Sequence, residues 1–234
     1  MKSLEIDSLS FRYGDKVIFE GATLSVQPGT IIGVLGPNGS GKTTLFDIIC
    51  KLKPPSGGTI KNGFSKELYL SQTLMTPPAL RMFDIFEMTN LLCSSTHSTQ
   101  IQVLDKLSQW SPSVINRYKE IWRKKSALCS YGEKRWFFTL SLLSLGADFI
   151  ILDEPTAGVD PEFRHYIWQC LHGAANSGTA ILISSHNVDE IVDHCNYFYM
   201  LSQKQFNRFG SRQAFMQAHD TKSLDEAFIK AAAF

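Results

Sequence analysis

No sign of charge dominates this sequence: 23 Lys and Arg face 22 Asp and Glu, for a formal charge of +1. A basic face that could hold a phosphate backbone is not expected, which argues against a nucleic-acid partner. The densest basic cluster, Arg123-Lys124-Lys125, reads as a solvated helix face. Cysteine is sparse and forms no pattern. Cys50, Cys93, Cys129, Cys170 and Cys195 are scattered, odd in number and without a C-x-x-C pair. Neither a disulfide framework nor a zinc site is expected, and a reducing cytosol fits. The start, Met1-Lys2-Ser3-Leu4, meets Glu5 and Asp7 without an apolar core region, so no signal peptide is expected. Long hydrophobic runs are missing too. The most apolar stretch, Trp136 to Ala147, is interrupted by Thr139, Ser141 and Ser144 and is too short to span a bilayer. A soluble chain is the expectation.

What is present is core-forming material. Of 234 residues, 44% are hydrophobic and sixteen are Phe, enough for one domain with a sizeable interior. Leu4-Glu5-Ile6 and Leu9–Tyr13, the turn signal Gly14-Asp15, and Val17-Ile18-Phe19 predict an antiparallel hairpin. Thr30–Leu35, Phe149–Leu152, Ala180–Ile183 and Tyr197–Leu201 are apolar runs that predict buried strands. Thr44–Lys53 has helical apolar spacing and stops at Pro54-Pro55. Strands apolar on both faces, alternating with helices, predict a mostly parallel sheet covered by helices. Between about residues 73 and 129 the character changes to helical patterns at Ala79–Cys93, Gln100–Trp110 and Ser113–Trp122, with a Ser/Thr-rich joint at 94–99. The fold class expected is α/β: a P-loop NTPase core with a mostly parallel sheet, an N-terminal antiparallel β portion and a helical insertion. The core covers about 1–72 and 130–234, the helical subdomain about 73–129, and the whole is one domain. Lys222–Phe234 predicts a surface helix.

Gly36-Pro37-Asn38-Gly39-Ser40-Gly41-Lys42-Thr43 fits G-x-x-x-x-G-K-[ST] and lies between a predicted strand and a predicted helix. Glycines let consecutive N–H groups turn inward on phosphate oxygens, and the helix N-terminus adds its positive dipole end. Lys42 can span the β- and γ-phosphates, the Thr43 hydroxyl can ligate Mg²⁺, and Thr44 stands beside them. A glycine-rich turn that binds nothing is the alternative, and this spacing with these flanks speaks against it. A nucleoside triphosphate is implied.

Phe149-Ile150-Ile151-Leu152 is followed at once by Asp153-Glu154. Asp153 at the end of a buried strand is placed to hold Mg²⁺. Glu154, one residue on, is expected to point to the other side and to orient or deprotonate an attacking water. An exposed acidic pair would be common after an arbitrary strand, but not after a fully apolar one.

With these residues in place, the sequence from about Leu4 to His194 strongly resembles the ATP-binding subunits of ABC transporters. The resemblance implies that Tyr13, in Phe11-Arg12-Tyr13-Gly14, stacks on adenine. It implies that Gln72, in Tyr69-Leu70-Ser71-Gln72, senses the γ-phosphate and Mg²⁺ and links to a membrane partner. Asp160, in Glu154-Pro155-Thr156-Ala157-Gly158-Val159-Asp160, matches a subunit-interface position, and His186, in Ser184-Ser185-His186, matches the switch histidine. On residue type alone, Tyr13 and Gln72 are ordinary surface residues and His186 could be a satisfied structural histidine. Asp160-Pro161 also reads as a helix N-cap with Pro at N1. The signature, usually Leu-Ser-Gly-Gly-Gln, here reads Cys129-Ser130-Tyr131-Gly132-Glu133. Ser130 and Gly132 are kept, and with Glu133 they are the positions implied to face the ATP of a partner subunit. Tyr131 replaces a glycine, and the following arginine position holds Trp136. Glu133 either repels the polyphosphate, or pairs with a base such as Lys134 or Arg135, or points to solvent.

What the resemblance implies for function is two subunits sandwiching two ATP, with Mg²⁺, and driving an integral membrane permease. The chain would be cytoplasmic, peripheral on the inner face of the membrane through that permease. A soluble ABC ATPase of assembly or repair machinery is the alternative. A non-hydrolysing scaffold is disfavoured because Lys42, Asp153, Glu154 and His186 are all present.

Overall fold

A computed structural model of the chain describes residues 2–93 and 98–233. Strands β1 (Leu4–Tyr13) and β2 (Lys16–Val26) form the expected antiparallel hairpin. Gly14 takes φ 53° at its turn, a left-handed value that favours glycine. The other edge of β1 pairs with β4 (Gly57–Asn62), an element that gave no apolar signal because its face is half-exposed and two of its residues are glycine. A second sheet has the order β5-β6-β7-β3-β8-β9, made of β5 (Glu67–Leu70), β6 (Phe149–Asp153), β7 (Ala180–Ser184), β3 (Ile31–Leu35), β8 (Tyr197–Ser202) and β9 (Gln205–Phe209). Its neighbours pair in parallel except for β9, which returns antiparallel to β8.

The central strands alternate strictly between two cores, which is why they read as unbroken apolar runs. Ile150, Leu152, Ile181, Ile183, Phe198 and Met200 face the helices. Phe149, Ile151, Ala180, Leu182, Tyr197 and Tyr199 face the antiparallel sheet and α1 (Lys42–Ile49). Each fully buried aliphatic side chain here contributes about 1.5–3 kcal/mol relative to exposure. Helix α1 ends before the expected Lys53, since Lys51 turns left-handed at φ 59°.

Helices α2 (Met82–Cys93), α3 (Gln100–Trp110) and α4 (Val114–Arg123) lie between β5 and α5 (Tyr131–Ser144). The onset of α2 falls at Met82 rather than Ala79, after Pro77-Pro78 and at an Arg81 N–H held by the Asp84 carboxylate at 2.9 Å. Most of the Ser/Thr-rich joint at 94–99 lies outside the described residues. Helix α6 (Pro161–Asn176) begins as predicted, with Asp160 Oδ1 accepting from the Phe163 N–H at 3.0 Å and Pro161 at N1. Helices α7 (Val188–His194), α8 (Arg212–Ala218) and α9 (Leu224–Ala232) complete the chain. Two expectations need correction. Helix α9 is not merely a surface helix: Leu224, Ala227 and Ala231 are buried against the main core. The Arg123–Lys125 run is not a uniformly solvated face either, because Lys124 is half-buried and pairs with Glu120 and Glu133.

The active loops follow the carboxyl ends of the parallel strands, where open α/β sheets place their ligands. Strand β7 lies between β3 and β6, and its last residue, Ser184, is in register with both Val34 and Asp153. Ser184 therefore stands between the loop leaving β3 and the acids leaving β6.

Candidate active site

Gly39 and Gly41 take φ 77° and 114°, conformations that L side chains rarely adopt. At Gly41 a Cβ would also meet Ile18 Cγ2 at 2.5 Å. Gly41 is the N-cap of α1 and supplies no side-chain cap, so the first N–H groups of that helix stay open toward the loop. Lys42 is buried, and its ammonium donates to the carbonyls of Gly36 (2.7 Å) and Pro37 (3.2 Å). Burial pushes this ammonium below the usual lysine range, with Glu154 and Asp153 acting in opposition. The result is a cation held ready behind the loop.

Thr43 Oγ1 donates to Asp153 Oδ2 at 2.6 Å, and Ser184 Oγ donates to Asp153 Oδ1 at 2.5 Å. Asp153 is 1% exposed. A hydroxyl and a carboxylate oxygen side by side at a cleft wall are the hard donors that Mg²⁺ takes, so the residues fit that ion. Glu154 does not point away from Asp153 as strand alternation predicts. It leaves the strand at φ 56°, and both acids line one cleft of about 300 Å³. Its Oε2 accepts from His186 Nδ1 at 2.5 Å, while the His186 ring itself is largely exposed.

That cleft gathers Tyr13, Asn38, Gly39, Gly41, Lys42, Thr43, Thr44, Gln72, Asp153 and Glu154 from the residues singled out in the sequence. Pro37 and Ser40 line an adjoining hollow on the far side of the loop, and Gly36 lies beneath Ser40. Two lining residues gave no sequence signal, Lys16 and Ile18, which the hairpin brings over the loop. At the outer end Tyr13 is half-exposed, with its hydroxyl 3.4 Å from Thr44 Oγ1 and Lys53 Nζ 5.4 Å from its ring centre. Lys53, together with Thr44, lowers the phenol below the usual tyrosine range, and Asp47 anchors Lys53 at 2.7 Å.

Ser130, Gly132, Glu133 and Asp160 do not line this cleft. Ser130 caps α5 in a capping box: its Oγ accepts from the Glu133 N–H at 3.1 Å, and the Glu133 carboxylate accepts from the Ser130 N–H at 2.8 Å. A Cβ on Gly132 would meet the Gly158 carbonyl at 2.6 Å, so the signature helix packs directly on the loop after Glu154. The Tyr131 ring lies against Gly158, and its hydroxyl donates to the Gln72 carbonyl at 3.1 Å. The bases that hold Glu133 are not Lys134 or Arg135. They are Arg117 of α4 (2.7 Å) and Lys124 just past its end (3.1 Å). Arg135 is instead fully buried behind the acids, a placement the sequence did not disclose.

These contacts change what Glu133→Gln should do. Burial resists ionisation, but the Ser130 N–H and Lys124 outweigh it and hold the Glu133 carboxyl below the usual range. A lowered folded value means stability that is present above about pH 4.3, the unfolded value, and lost as pH falls through the folded one. Glu133→Gln keeps the capping box and loses both ion pairs, so unfolding at pH 7 should cost up to about 1 kcal/mol less. The difference from wild type should vanish in acid. Denaturant melts at pH 7 and pH 3 check this, and equal midpoints at pH 7 would contradict it.

Comparison with known proteins gives one consistent answer. A family profile described as "ABC transporter" matches residues 19–157. Protein McbF of Escherichia coli is 32% identical over 234 residues, covering 97% of this chain and 94% of its own length. A Nod factor export ATP-binding protein I of Burkholderia orbicola is 27% identical, over 92% of this chain and 73% of that one. Among solved structures, an ATP-binding subunit of an ABC transporter superposes with TM-score 0.81 at 21% identity, covering 97% and 98% of the two chains, a likeness of fold. Phosphate loop, acidic strand end and family match agree, and the chain belongs to the ABC transporter family as its ATP-binding, ATP-hydrolysing subunit.

Proposed function

We propose that ATP lies in this cleft with its triphosphate on Gly36–Thr43, its base on Tyr13, and Glu154 as the group that takes the proton of the attacking water. Thr43 and Asp153 would hold Mg²⁺, with Gln72 at the same wall; the ion, when bound, neutralises charge on the phosphate oxygens. Lys42 exchanges the Gly36 and Pro37 carbonyls for phosphate. His186 keeps the Glu154 carboxylate aimed and is placed to feel the γ-phosphate. The observation that carries this reading is the continuous path Thr43–Asp153–Ser184 beside Glu154–His186, all around one buried lysine.

The chain is read as a single ATP-binding domain, with about 73–129 as its helical subdomain and the remainder as its core. Ser130, Gly132, Glu133 and Asp160 stand outside the chain's own cleft, which supports their facing a second ATP-binding subunit across two shared ATP. Among the described residues no helix is long and apolar enough to cross a membrane. In this reading the partner that crosses the membrane is a separate permease, and the subunit sits on the inner membrane face through it.

Sedimentation of Glu154→Gln with Mg-ATP should show a dimer and, without nucleotide, a monomer. A monomer at tens of micromolar protein, persisting when a co-expressed second cassette subunit is supplied, would contradict the sandwich. Co-purification of a multi-span membrane protein tests the transport arm.

A further inference from the structure

Glu154 has an unusual backbone for a glutamate. Its φ of 56° is a left-handed value that non-glycine residues seldom hold without support. The supports are visible on both sides of the peptide.

On one side stands Arg135, one turn into α5 and 0% exposed. Its Nε donates to the Glu154 carbonyl at 3.1 Å and its Nη2 to the Asp153 carbonyl. Its Nη1 donates to the carbonyls of Ser71 (2.5 Å) and Gln72 (3.2 Å), just past β5. Each of these acceptors is a backbone carbonyl from the carboxyl end of β5 or β6. A planar guanidinium with five donors can serve that many acceptors at once, and an ammonium with three cannot. Burial disfavours the cation, while Asp153 and Glu154 nearby favour it.

On the other side stands Ser184, the last residue of β7. Its Oγ accepts the Glu154 N–H at 3.0 Å and donates to Asp153 Oδ1 at 2.5 Å. The adjacent strand register, Asp153 opposite Ser184, makes that reach possible. Both polar groups of the Glu154 backbone, and the carbonyl before it, are therefore fixed by two side chains. Neither Arg135 nor Ser184 lines the nucleotide cleft.

We infer that Arg135 and Ser184 are positioning residues for hydrolysis: together they hold the Asp153–Glu154 corner in its left-handed turn, and that turn aims the Glu154 carboxylate into the cleft. Without the turn, strand alternation would carry Glu154 to the face opposite Asp153. The Gln72 carbonyl is gripped from the same face of α5 by Arg135 and by the Tyr131 hydroxyl, so the corner and Gln72 are held as one unit. This inference rests on Glu154 being the catalytic base.

The test uses the full chain with Ser184→Ala, Ser184→Thr and Arg135→Lys. Steady-state ATPase should show kcat at least tenfold lower in Ser184→Ala and Arg135→Lys. ATP affinity by titration and the Mg²⁺ concentration for half-maximal rate should stay within about twofold, and the melting temperature of Ser184→Ala should show a folded protein. Ser184→Thr, which restores the hydroxyl, should recover most of the rate. If Arg135→Lys does not fold, Ser184→Ala and its Thr rescue decide alone. A folded Ser184→Ala with wild-type kcat overturns the inference, as does a rate restored by raising Mg²⁺, which would route the effect through Asp153. In a Glu154→Gln background Ser184→Ala should add no further loss; an additive loss there would also overturn it. Full turnover in Glu154→Gln alone would instead retire the base assignment beneath it.

Discussion

Glu154→Gln is expected to bind ATP as well as wild type and to turn it over about 100- to 10,000-fold more slowly, the range a positioned base supplies. Glutamine has the same shape, and the groups that shape the corner are backbone atoms held by Arg135 and Ser184, which the substitution does not touch. The amide oxygen can still accept from His186 Nδ1, so the exposed ring need not move. What disappears is the capacity to take a proton. Affinity should hold or tighten, because one negative charge is removed beside a polyanion while the loop around Lys42 is unchanged. Phosphate release measured alongside a nucleotide titration separates the two quantities. Near-wild-type release from purified, folded Glu154→Gln would remove Glu154 from the role of base.

How much of this site the sequence discloses depends on how local each cause is. The phosphate loop is legible because its demands are local: Gly39 and Gly41 need left-handed backbone, Lys42 needs a buried path, and α1 must follow at once. Asp153 is legible because four apolar residues precede it and the strand ends there. The orientation of Glu154 is not, because period-two reasoning holds only while the chain remains a strand, and φ 56° ends it. Arg135 is hidden for a different reason. In Lys134-Arg135-Trp136 it looks like one more helix charge, and its burial comes from carbonyls 18 to 64 residues away in sequence. Glu133 is similar: its partners Arg117 and Lys124 belong to another helix and its end, while the nearer base Arg135 turns to backbone carbonyls instead. Strands β4 and β9 lack apolar alternation because too few of their residues are buried, none in β4 and only Phe206 in β9. Helix α3, by contrast, falls on the expected Gln100–Trp110, where Thr99 and Gln102 form a capping box that fixes its start.

Lys42→Ala should fail earlier in the cycle than Glu154→Gln does, at binding. A charge-assisted contact to phosphate is worth about 1.5–3 kcal/mol, so affinity for ATP should fall roughly ten- to hundredfold. The loss should be separable from unfolding. Burial leaves the folded chain holding the Lys42 proton less tightly than the unfolded chain, even with Asp153 and Glu154 opposing. With more protons bound in the unfolded state, stability rises with pH through that range, so at neutral pH the ammonium is a net cost to the fold. Alanine removes that cost together with the buried stem and the two hydrogen bonds to Gly36 and Pro37, so these opposing effects should leave the melting temperature without nucleotide close to wild type. The affinity change is then read on folded protein. Lys42→Arg keeps the charge but brings a wider, planar head into a pocket shaped for an ammonium, and should recover little. A titration with fluorescent ATP, run beside thermal melts of both variants, makes the comparison. Unchanged affinity in folded Lys42→Ala would count against the phosphate-loop assignment, and with it against the placing of ATP in this cleft.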